Sequence, residues 1–152
     1  MASTNTVSTK STTAGDAAVG GLFHGLVAGL VMAAYIALAG LLQGIGPLAI
    51  WTRLGGALDS PVSGLLAHLA VSGVYGVVWG LLWRPVHNMV PRLPAWLVGL
   101  VYGLILLVVA QLAVAALNPL LMDIGLAHRA VAHLLYGLVL GLLTARSIRD
   151  RS

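Results

Sequence analysis

Cysteine is absent from the 152-residue chain. Disulfides, iron–sulfur clusters, thiolate zinc sites and covalently attached haem are therefore excluded for want of ligands. Charge is nearly as scarce. Only 8% of residues are charged, where an ordinary soluble domain carries about 25%. So few charges cannot cover a surface that faces water, and the mean hydropathy of +0.99 makes lipid the solvent for most of the chain. The acids are Asp16, Asp59, Asp123 and Asp150, and none lies inside an apolar run. Paired carboxylates, a Ser–His–Asp set and a phosphate-cradling glycine loop cannot be assembled, so no enzyme activity is expected. Ion transport ordinarily buries a carboxylate or arginine at mid-depth, and these runs hold neither.

What the chain does have is four long apolar runs, at about residues 17–42, 61–83, 95–117 and 127–145. Each can cross a hydrocarbon core of about 30 Å as a helix. Lipid allows little else, because backbone polar groups must be satisfied within the segment. The expected fold is all-α: one integral membrane bundle of four transmembrane helices spanning residues 17–146. Residues 48–58 read as a short helix lying in the interface between the first two spans. Asp59 or Ser60 ahead of Pro61 is an N-cap signal for the second span. Residues 1–16, rich in Ser and Thr, read as a disordered tail, and 147–152 as a basic cytoplasmic tail. The first run is read as a retained span, because Lys10 is balanced by Asp16 and the run is too long for a cleaved leader.

With four crossings, both termini and the middle connection share one side. That side holds Lys10, Arg84, Arg92, Arg146, Arg149 and Arg151, and the other holds Arg53 and Arg129. The bias predicts a multi-pass protein of the cell membrane with cytoplasmic termini. The formal charge of +4 is no nucleic-acid signal, since the basic residues sit at the ends of apolar runs, among lipid head groups.

Small residues recur every fourth position. The first span carries Gly21, Gly25, Gly29, Ala33 and Ala37, and the second carries Ser72, Gly76 and Gly80. The third has Gly99 and Gly103, and the fourth Gly137, Gly141 and Ala145. This spacing holds one helix face and permits close backbone approach in lipid. Tight packing within the bundle is the first reading of these stripes; the second is that some face docks another membrane protein subunit, and the first stripe, the longest, is the best candidate for it. A weak repeat also relates Tyr75–Gly76 and Gly80 to Tyr136–Gly137 and Gly141, as if the second and fourth spans were related.

Polar residues inside spans are costly and need partners. Counting back from Arg84 and Arg146 puts His68 and His133 within about 4.5 Å of one height, in the outer half. Gln111 falls in the same layer and Tyr35 nearby. Two readings follow. In one, Tyr35, His68, Gln111 and His133 form a hydrogen-bonded layer that fixes helix register, with no cofactor. In the other, His68 and His133 ligate haem b, or serve a quinone, with neighbouring glycines giving the ring room.

The order of these features resembles a family of small uncharacterised four-helix membrane proteins of bacteria and archaea. The resemblance rests on Gly25, Gly29 and Met32; Pro47; His68, Gly73, Tyr75 and Gly76; Tyr102 and Gly103; Pro119; and His133, Tyr136, Gly137 and Gly141. It implies a fold and a membrane location. Association of such proteins with respiratory oxidases makes an electron-transport complex the expected setting. The expected function is thus a non-catalytic integral subunit within a larger membrane assembly. A haem- or quinone-binding redox module and a small transporter or channel are the competing expectations.

Overall fold

The first helix starts where Thr13 and Asp16 cap each other. The Asp16 amide donates to the Thr13 hydroxyl at 3.1 Å, and the Thr13 amide donates to the Asp16 carboxylate at 3.0 Å. Two orphan donors are satisfied at once. In the computed structural model, which describes residues 13–55, 60–114 and 124–150, this box starts α1 (Ala14–Leu42) three residues earlier than its apolar run. The tail expected over residues 1–16 therefore gives up its last residues to the helix, and the rest lies outside the described residues. At the other end, Gly44 takes φ 76°. Its amide donates to the Leu41 carbonyl at 3.0 Å and the Ile45 amide to the Gly40 carbonyl at 2.8 Å. Only glycine enters this left-handed terminator without strain.

Helix α2 (Pro47–Leu54) is shorter than the expected 48–58 because Gly55 ends it. It is also seated on the bundle. Ile50 is fully buried, and a Cβ on Gly40 of α1 would stand 2.6 Å from the Ile50 Cγ1. Helix α3 (Pro61–Met89) begins at Ser60, whose hydroxyl accepts from the Ser63 amide. It continues past Trp83, through Pro85, where sequence reading ends the span. Proline removes one helical hydrogen bond, a loss that water and head groups make good once the helix has left hydrocarbon. Helix α4 (Ala95–Val109) passes into a π-helical turn, Ala110–Val114. Its expected end at 117, with Asn118, Pro119 and the alternative cap Asp59, lies outside the described residues. Helix α5 (Leu126–Arg149) outruns its apolar stretch of 127–145, and Arg146 and Arg149 in its last turn complement the helix dipole.

Four of these helices, α1, α3, α4 with its continuation, and α5, are long and apolar enough to cross a membrane. The chain is a multi-pass membrane protein of all-α fold. The start of α1, the end of α5 and the α3–α4 connection share what we call the terminal face; α2 lies at the far face.

Two pairs organise the bundle, α1 with α3 and α4 with α5, and α1 joins α5 between them. Each pair is closed by glycine. A Cβ on Gly25 would lie 2.7 Å from the Gly76 Cα, and one on Gly21 would lie 3.0 Å from the Gly80 Cα and overlap the Gly76 carbonyl. In the second pair, a Cβ on Gly99 would meet the Gly137 carbonyl, and one on Gly103 the His133 carbonyl. Such spacing leaves no room for any side chain and maximises dispersion contact. Gly29 faces Ser72, while Ala33 and Ala37 are buried within the same bundle. The groove expected to await another subunit on α1 is therefore occupied by α3.

Candidate functional site

Tyr35, His68, Gln111, His128, Arg129 and His133 come from four helices, and the structure gives each a partner. His68 of α3 donates from Nε2 to the Gly29 carbonyl of α1 at 3.0 Å. A helical carbonyl has a second lone pair, and Gly29 has no side chain to shield it. His133 of α5 donates from Nδ1 to the carbonyl of Arg129, one turn earlier, at 2.8 Å. Gln111, in the π-helical turn of α4, accepts from Arg129 Nη1. Tyr35 of α1 bonds His128 Nδ1 at 3.1 Å, its ring 6.2 Å from the imidazole.

None of Tyr35, His68, Gln111 and His133 is bonded to another, so these four do not join into the expected hydrogen-bonded network. Two residues that sequence reading left at the outer mouth, His128 and Arg129, hold Tyr35 and Gln111. Their signal was present: His128 and Arg129 precede His133 by five and four residues, close to one face of α5. Depth arithmetic finds which residues share a height, but a partner such as the Gly29 carbonyl carries no side-chain signature.

Nearer the terminal face the same habit continues. Tyr136 donates to the Ser72 carbonyl at 2.6 Å and Tyr102 to the Tyr75 carbonyl at 2.8 Å. The Trp79 indole donates to the Thr144 hydroxyl at 2.9 Å, which in turn donates to the Leu140 carbonyl at 2.8 Å. These bonds tie α3 to α4 and α5 where backbones do not meet closely.

A haem does not fit His68 and His133. The glycines that would give a flat ring room, Gly29, Gly103 and Gly137, each face atoms of a neighbouring helix too closely to admit one. His68 Nε2, the nitrogen best placed to reach iron, is spent on a carbonyl. Among the described residues no three His, Asp or Glu side chains gather as a metal site.

The match to the Family of unknown function (DUF6789) covers residues 13–152. The chain belongs to that family. Its matched region begins at the residue that caps α1, so the four spans and their connections lie within it. No curated protein and no solved structure matches the chain.

Proposed function

We propose that the protein is a non-catalytic integral component of a larger membrane assembly, acting through what it touches in the bilayer. One observation carries this reading. His68, Tyr102 and Tyr136 each end on a backbone carbonyl of a neighbouring helix, and His133 on one of its own helix. Donors ending on helix carbonyls hold helices in register and hand nothing on. A relay needs side chains that pass protons or ions from one to the next, and a catalytic site needs a group left poised to react.

What remains available for function is the outer surface, which is rich in Val, Leu and Ile. The glycine faces being consumed within the bundle, contact with neighbouring subunits falls to these larger side chains. The orientation read from the arginines puts the terminal face in the cytoplasm, and an electron-transport complex is the setting to test first. The test is native mass spectrometry of the full chain, extracted from its own membrane in mild detergent. A particle of defined stoichiometry containing one or more different subunits supports the reading. A particle containing only this chain, across several mild detergents, contradicts it.

A further inference from the structure

At the terminal face, the first turns of α1, the end of α3 and the end of α5 enclose a half-open cavity of about 460 Å³. Pockets that hold small molecules run from roughly 300 to 1,000 Å³. Its inner wall is Trp79 and Gly80, and its rim carries Arg84 and Ser147. Arg84 directly follows the apolar run of residues 61–83, and basic residues at the ends of such runs meet lipid head groups.

Two polar groups there are unspent. Arg84 is exposed and has no protein partner among the described residues. Its fork of N–H groups matches the oxygens of a phosphate. Pro85 has no N–H, so the Leu81 carbonyl one turn back lacks its helical donor, and Leu81 also lines the cavity. One strong donor and one open acceptor thus sit about a turn apart. Asp16 also lines the cavity, and a carboxylate there disfavours a free phosphate dianion. The amides of the first α1 turn contribute little to anion binding, since the Thr13 hydroxyl already accepts from one of them.

We infer that this cavity binds the phosphodiester head group of a membrane lipid that also carries a hydrogen-bond donor, of the ethanolamine or glycerol kind. Arg84 takes the phosphodiester and the Leu81 carbonyl takes the N–H or O–H. The acyl chains run back along α1 and α3 into the bilayer. A choline head group, which has no donor, leaves the carbonyl unmet. This inference is independent of the assembly reading, because it needs only the folded chain.

The experiment is lipid titration of the purified full chain in detergent, followed by native mass spectrometry. Phosphatidylethanolamine and phosphatidylcholine with identical acyl chains are compared, with soluble glycerophosphoethanolamine as a third arm. Phosphatidylethanolamine is expected to bind at least tenfold more tightly than phosphatidylcholine. Arg84→Gln should weaken binding of both lipids at least tenfold, Arg84→Lys should keep part of the affinity, and Arg92→Gln, which removes a basic residue outside the cavity, should leave it intact. Equal binding of the two lipids, an unaltered affinity in Arg84→Gln, or an equal loss in Arg92→Gln would overturn the assignment. Binding of glycerophosphoethanolamine as tight as that of the lipid would overturn the membrane source and leave a soluble ligand.

Discussion

The pairs α1/α3 and α4/α5 solve one packing problem in two settings. Both bring backbones together through glycines four residues apart, Gly21 and Gly25 on Gly76 and Gly80, Gly99 and Gly103 on Gly137 and Gly141. They differ in what surrounds the contact. The first pair is braced by α2, whose Trp51 carbonyl lies so near Gly64 of α3 that no Cβ could be added there. Among the described residues the second has no such brace, and its far end carries the π-helical turn and the Arg129–Gln111 bond. Glycine contact therefore closes a helix pair by itself, while the additions at one end decide how that pair is held at the far face.

Leucine at either centre is the harshest way to probe this equivalence. Gly76→Leu and Gly137→Leu each force a side chain into a neighbouring backbone, and each should cost about 3 kcal/mol or more, beyond the usual range for overpacking. Chemical unfolding in detergent micelles measures both. A loss confined to one variant would show that only one pair needs its glycine.

Next in size is the far end of the second pair. Arg129→Leu removes the partner of Gln111 and the charge behind it, and should destabilise by roughly 1–2 kcal/mol. The π-helical turn should relax toward regular α-helix, visible as altered amide hydrogen exchange confined to residues 110–114. Unchanged exchange there would detach the turn from the Arg129 contact.

Smaller still are the hydroxyls that tie the pairs together. Tyr136→Phe and Tyr102→Phe each delete one bond to an α3 carbonyl, and about 0.6 kcal/mol each is expected, the average for such bonds in membrane helices. A much larger loss from Tyr136→Phe would mark its hydroxyl as more than a tie.

At the bottom of the scale is Gly20→Ala. No atom lies within 4 Å of a Cβ added there, although the residue neighbours Gly21. Stability should stay level or rise slightly through helix propensity. Any clear loss would mean that neighbours approach Gly20 more closely than described.

Much of this was legible in the sequence, and the reason it was legible shows where reading stops. Run length and missing charge specify four spans, because lipid tolerates no alternative for the backbone. A stripe such as Gly21, Gly25 and Gly29 specifies a face, yet every stripe here is chemically alike. Which stripe meets which depends on the connections, and α2 brings α3 back onto α1. That is why the longest stripe suggests an unfilled groove in the sequence and is filled in the fold. Depth arithmetic sets His68 and His133 near one height, but their partners are carbonyls, which every residue carries. Helix ends were missed where the signal was capping, at Thr13 and Asp16, or where a proline sat beyond the hydrocarbon, at Pro85.

The central claim is that the α1 glycine face is sealed by α3 inside a single chain. The double substitution Gly25→Leu with Gly29→Leu tests it most directly, read by thermal unfolding and limited proteolysis of the isolated protein in detergent. The bundle should lose its cooperative transition and be cut within α1 and α3, with no other subunit present. A double variant that stays as folded and as resistant to protease as the unaltered chain would contradict the account and return that face to an external partner.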